Sequence, residues 1–304
     1  MSEANRSSEY QSGTTEDRYP IRVDVGELPP PELRYRRALE VGTALRLLLR
    51  ARNIVWGLVV RQVRSTYSQQ VLGLAWALVT PLAQMFVFTI LLNRVGTKAG
   101  LQTFGVPKPL WLFVGLVAWS FFSSAVATGG TSLVGNPLLN KVYAPREVFP
   151  IAQVSSSLIN AFASTLMLPV LMLFTQHGVS ITVLWAPLPL VILLAYSTAI
   201  ALFVSAITVY ARDLRSGLPL LLQLGMFLPG VLYPVSKVIP AGGRWIYASL
   251  LPVGTIIDQL RICFFLDRAP DASMTAIAGI SSLVWLTAGF LFFKRLETGF
   301  ADVS

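Results

Sequence analysis

Side chains that could do chemistry are few in this 304-residue chain and unevenly placed. Beyond Thr43 the acids are Glu147, Asp213, Asp258, Asp267, Asp271, Glu297 and Asp302, and none falls in the middle of a long apolar run. A membrane enzyme acting on lipid-linked substrates needs acids, histidines or metal ligands in or beside the bilayer. A paired-carboxylate site or proton relay therefore has weak support. His177 and Cys263 each stand alone, which excludes an intrachain disulfide and a cysteine metal cluster. The sequence contains no H-E-x-x-H, no G-x-S-x-G and no G-x-x-x-x-G-K-[ST]. If the protein uses ATP, another subunit must bind it.

The cations point elsewhere. From Thr43 to Gln69, Arg46, Arg50, Asn53, Gly57, Arg61, Arg64 and Ser68 recur at steps of three or four, which places them on one stripe of a helix. Leu, Val, Ile and Trp56 fill the rest of its circumference. Such a helix is expected to lie in the membrane interface, guanidinium groups at the lipid phosphates. As a first transmembrane span it would bury several arginines at about 2.5–3.5 kcal/mol each. The net charge of +9 gathers in this juxtamembrane cluster, so lipid orientation accounts for it and nucleic-acid binding is not expected.

A second polar island, "NPLLNKVYAPREVFP" at 136–150, places Lys141, Arg146 and Glu147 between two apolar runs. It reads equally as a docking helix for a motor protein or as a solvated connector that fixes topology. Aromatic residues crowd "PLWLFVGLVAWSFF" at 109–122. Trp119 and Phe122, three residues apart on one helix face, suit a sugar-lined route as well as ordinary packing. Trp111, at the start of that run, fits an interfacial belt.

The composition is 54% hydrophobic and only 13% charged, that of an integral membrane protein. Six runs are long enough to span a bilayer: 71–94, 109–134, 150–175, 187–210, 217–236 and 273–293. Kinks are expected at Pro81 and Pro169. Between 238 and 271 the apolar pieces are about 10–14 residues, a length suited to re-entrant or interfacial helices, expected on the outer face. Residues 1–33 are polar, carry "ELPPPE" and lack a signal peptide's apolar core, so they read as a disordered cytoplasmic tail. Residues 34–304 then form one all-α membrane domain. With both termini cytoplasmic, inner segments carry about fourteen Lys and Arg against about seven outside.

Four stretches resemble the transmembrane subunit of ABC-2 type polysaccharide exporters. They are "RQVRSTYSQQVLGLAWALVTPL" (61–82), "GLVAWSFFSSAVATGGTSLVGNPLLNKVYAPREVFPIAQV" (115–154), "VYARDLRSGLPLLLQLGMFLPGVLYP" (209–234) and "LLPVGTIIDQLR" (250–261). In the last, Leu251 stands where the family usually has Asn, so no role of that Asn side chain carries over. The resemblance implies a homodimer of six-span subunits in the cytoplasmic membrane, with a channel between them and two copies of a separate ATPase that binds ATP and Mg2+. It implies that Lys141, Arg146, Glu147, Arg212 and Asp213 couple to that ATPase. The expected cargo is a glycan on a polyprenyl diphosphate, its headgroup met by Arg61, Arg64 and Tyr67, its chain by Trp119, Phe121 and Phe122. An exporter of drugs or simple lipids shares the fold, and a membrane-embedded glycosyl- or phosphotransferase is the reading of a different class.

Overall fold

Proline, glycine and small-residue positions decide where the apolar runs become straight helices and where they break. The computed structural model describes residues 51–67, 75–99, 103–136, 145–178, 180–297 and 300, all within the unit Glu40–Ser304. The polar tail at 1–33 and Lys141 lie outside the described residues. Helix α1 (Arg52–Tyr67) precedes α2 (Ala75–Ala99) and α3 (Lys108–Gly130). Then follow α4 (Val148–Thr165), α5 (Met167–Phe174), a 3₁₀ turn (Ile181–Trp185) and α6 (Pro187–Tyr210). Next come α7 (Leu214–Gly225), α8 (Val235–Val238), α9 (Arg244–Leu250), α10 (Pro252–Phe265) and α11 (Ala272–Glu297). Among the described residues every regular element is a helix.

Five helical stretches are long and apolar enough to cross a bilayer: Ala75–Arg94, Lys108–Gly130, Val148–Phe174, Ile181–Tyr210 and Ala272–Glu297. A sixth arises if α9 and α10, which turn by 110° at Leu251, count as one broken span. Such a sharp turn between two short apolar helices is the re-entrant form that their lengths lead one to expect. Pro252 suits the first position of α10, where a missing N–H costs nothing. Pro169 lacks the N–H that Thr165 O would accept, and the helix is interrupted at Leu166, between α4 and α5. Pro81, by contrast, sits inside an uninterrupted α2.

The fifth expected run, 217–236, differs most. It is regular helix only through Gly225, and then descends in turns closed by Phe227 N–H to Leu224 O and Leu228 N–H to Gly225 O. Pro229, Gly230 at φ +71° and Pro234 follow, and together they forbid a continued helix.

Helix α3 is the axle of the bundle. Sixteen of its residues are buried, by α4, α6 and α10 among others, whereas α2 exposes Trp76, Phe86, Val87, Ile90 and Leu91. Within lipid, helices gain little from hydrophobicity against one another and associate by close packing, which small residues permit. Gly289 of α11 meets Ala199 of α6 so closely that a Cβ there would lie 2.6 Å from the Ala199 carbonyl oxygen. Chain direction puts the ends of α3 and α6, the starts of α4 and α7, and the end of α11 at one end of the bundle. The starts of α3, α6 and α11 and the α9–α10 turn lie at the other.

Candidate functional site

At the first end, the two loops expected to couple are tied to the carboxyl-terminal segment. Arg146 is half-buried, its guanidinium 5.6 Å from the centre of the Phe300 ring. That ring also packs at 5.8 Å on Tyr210, whose hydroxyl donates to Leu296 O at 2.9 Å. Two residues beyond Tyr210, Arg212 and Asp213 are exposed at the start of α7.

The Glu147 side chain is wholly buried. Lys294 Nζ donates to Glu147 Oε2 at 2.8 Å and to Glu297 Oε2 at 2.8 Å. Among the described residues Glu147 Oε1 has no partner. Burial raises the Glu147 carboxyl above its ordinary 4.5, and the Lys294 ammonium opposes that rise. Glu147 anchors the loop that carries Arg146. Sequence reasoning missed Lys294, which is 147 positions away; its only signal was a lysine at the end of the last apolar run.

Helix α1 presents Asn53, Gly57, Arg61 and Arg64 on its exposed side, as their spacing predicts, while Val59 is buried. Gln62 Oε1 accepts from Gln153 Nε2 at 3.1 Å, fastening α1 to α4. Tyr67 is the last helical residue, and Arg46, Arg50 and Ser68 of the expected stripe lie outside the described residues. Exposed guanidinium groups in fixed helical register can receive an anionic headgroup.

The three candidate aromatics of α3 do not share one surface. Trp119 and Phe122 are 5.2 Å apart, and the stack continues from Phe122 to Tyr196 at 5.7 Å and on to Trp285 at 6.4 Å. This aromatic row joins α3, α6 and α11, with Trp119 against Gly225 of α7. Phe121 instead lines an apolar groove of ≈560 Å³ with residues of α4, α6 and α10. All three are buried within the single subunit.

At the opposite end Arg261 is, among the described residues, the largest fully buried side chain. Its Nε donates to Trp111 O (3.2 Å), Nη1 to Gly230 O (2.9 Å) and Asp258 Oδ1 (3.0 Å), and Nη2 to Val231 O (2.6 Å). It also lies 4.5 Å over the Trp111 ring. Asp258 Oδ2 accepts from Val235 N at 2.9 Å. One planar fork thus satisfies the carbonyls freed where the fifth run leaves its helix. Gly115 makes room for it: a Cβ there would crowd the guanidinium and lie 2.9 Å from Val231 O.

Among the described residues no group of three or more His, Cys, Asp or Glu could hold a metal ion. Charged groups instead cluster at the two ends of an apolar helical bundle and fix broken helices there. These features define a multi-pass membrane protein of all-α architecture. Residues 54–265 match the ABC-2 type transporter family, and the chain belongs to it. It is 32% identical over 257 residues to the O-antigen export system permease protein RfbA of Myxococcus xanthus, covering 83% of this chain and 96% of that protein. Family membership makes the chain a transport subunit that works with an ATPase subunit.

Proposed function

We propose that this chain is the permease of an ABC transporter that exports a polysaccharide linked to a polyprenyl diphosphate across the cytoplasmic membrane. The observation that carries this reading is the 32% identity to an O-antigen export permease along almost its whole length. Two copies of the chain form the pathway, and two copies of a separate ATPase, binding ATP and Mg2+, drive it. The end bearing Arg146, Arg212 and Asp213 faces the cytoplasm with both termini, and the α9–α10 turn faces outward.

A diphosphate cannot enter hydrocarbon unaided, because isolated charge is costly there. Arg61 and Arg64, exposed on α1, pair with it at the inner interface beside Tyr67. The glycan then passes along the side of the bundle where Trp119 and Phe122 lie. Phe121, which lines the apolar groove, supports that helix from its other side.

Depleting the protein in its host and analysing lipid-linked glycans by mass spectrometry tests this. Full-length polymer retained inside the cell is the expected result. Truncated polymer would support a transferase, and an unchanged pool would support export of drugs or simple lipids. Replacing Arg61 and Arg64 by Gln is expected to lower export while leaving assembly with the ATPase intact. Export at the wild-type rate removes the headgroup role.

A further inference from the structure

The cavity under the α9–α10 turn has a composition that the proposed transport mechanism does not use. It measures ≈470 Å³, within the ~300–1,000 Å³ of small-ligand clefts. Phe104, Trp111, Thr255, Asp258, Gln259 and Arg268 are among its walls. The mixture of aromatic rings, an amide, a hydroxyl and both signs of charge is unlike the groove beside Phe121, whose lining is apolar except for Thr165.

Three independent features point to a ligand. Phe104 has φ +53°, a conformation uncommon for an aromatic residue, in a turn closed by Val106 N–H to Thr103 O at 3.0 Å and Thr103 Oγ1 to Val106 O at 2.6 Å. Strain of this kind is retained where the surroundings impose it, and functional surfaces are where it concentrates. Here it holds an apolar ring 46% exposed at a cavity wall, 5.8 Å from Trp111 and with Lys237 Nζ 5.5 Å over it. Second, Thr255, Asp258 and Gln259, spaced on one face of α10, bring a hydroxyl, a carboxylate and an amide to the same wall. Third, Arg268 is exposed at the same cavity and has no ion-pair partner among the described residues.

The chemistry selects the class of ligand. An anion is disfavoured because Asp258 and Asp271 line the cavity along with Arg244 and Arg268. A hydrocarbon chain is disfavoured by the polar side chains. A neutral polyol with an apolar C–H face fits both halves: polarised C–H groups meet the negative face of an aromatic ring, and hydroxyls meet mixed donors and acceptors. We propose that this cavity, walled by Phe104, Trp111 and Arg268, is a saccharide-binding subsite at the outer end of the subunit. It rests on the polysaccharide-export reading for its place on the exit side of the route. Phe104 and Arg268 are its contact residues, and Arg261 holds Trp111 in position.

The test uses the full chain with its ATPase partner in lipid nanodiscs. The probes are free D-mannose, D-galactose, L-rhamnose and N-acetyl-D-glucosamine, followed by saturation-transfer NMR. At least one probe should receive saturation at its ring C–H protons. The signal should fall about fivefold or more in Phe104→Ala and in Arg268→Gln. It should be unchanged in Trp56→Ala, an exposed aromatic on α1, a helix that contributes no residue to the cavity wall. Melting temperatures within a degree or two of wild type confirm that Phe104→Ala and Arg268→Gln are folded. No transfer to any probe, or equal transfer in wild type and Phe104→Ala, overturns the subsite. Slower glycan export by the Phe104→Ala strain identifies the bound sugar as cargo. Lost binding with normal export identifies it as free saccharide outside the cell. If depletion of the protein leaves surface glycan unaltered, the export reading falls by itself, while the NMR result still decides the subsite.

Discussion

At the scale of single residues, two buried charges govern the two ends of the bundle, and their partners make different demands. Glu147 is fully buried with one satisfied oxygen and, among the described residues, one orphaned. Removing only the cation leaves an uncompensated buried charge, a loss of about 3–5 kcal/mol, whereas replacing both partners is far milder. Lys294→Met is therefore expected to lower the melting temperature sharply, and adding Glu147→Gln to recover most of it. The sign of the pH effect follows from the raised Glu147 value. A group whose value is raised by folding contributes stability that is complete below 4.5 and lost as pH rises through the folded value. Lys294→Met should thus melt higher at pH 5 than at pH 8; the reverse order would place the buried charge elsewhere. Arg261 makes the parallel case. Arg261→Met strips Asp258 and three backbone carbonyls of their donor, and loosening there should expose Cys263, buried two residues on and the only thiol in the chain. Maleimide labelling of Cys263 in native protein, absent in wild type and present in Arg261→Met, checks this. Arg61 and Arg64 were legible as an exposed stripe because helical spacing alone fixes a face. The Glu147–Lys294 pair was not, since spacing carries no information across 147 positions.

At the scale of elements, the straight helices were legible and the broken one was not. Apolar length fixed α3, α6 and α11 to within a few residues at most ends, because a bilayer leaves a long apolar run few alternatives to helix. The run 217–236 is equally apolar, but its second half ends in turns whose freed carbonyls depend on a guanidinium from α10. Hydropathy cannot see a partner that arrives thirty residues later. The same dependence shows at the start of α11. Asp271 Oδ1 accepts from Ser273 N (3.0 Å), Ser273 Oγ (2.7 Å) and Met274 N (3.3 Å), capping the helix. The Ser273 hydroxyl foremost, with these backbone amides, holds the Asp271 carboxyl below its ordinary 3.8. Its contribution is present above 3.8 and lost as pH falls through the lowered value. Asp271→Ala should cost about 1 kcal/mol and fray the first turn of α11. Faster hydrogen exchange at Ser273 and Met274, with Lys294 at the far end unaffected, is the expected pattern.

At the scale of the whole molecule, the carboxyl-terminal segment joins the two loops expected to meet the ATPase. Phe300 lies between Arg146 and Tyr210, while Lys294 holds Glu147, so movement at either loop bears on the end of α11. A motor pressing on Arg146 or on Arg212 and Asp213 thereby acts on a helix that packs closely along α6. Docking is separable from the buried Glu147–Lys294 pair, because Arg146, Arg212 and Asp213 take no part in it. Reversing the more accessible charges, Arg146→Glu with Arg212→Glu and Asp213→Lys, should sharply reduce co-purification of the ATPase subunit. Subunit stability should change by only about 0.5 kcal/mol at each of the exposed Arg212 and Asp213, and by more at the half-buried Arg146, which packs on Phe300. Lys294→Met should do the opposite, lowering stability before it affects docking. Co-purification that survives the triple reversal would return both loops to the role of solvated connectors and leave the α11 anchor as a purely structural tie. Loss of docking with unchanged melting would mean that the ATPase reads the charges on the two loops, while the buried pair beneath them sets how rigidly those charges are presented.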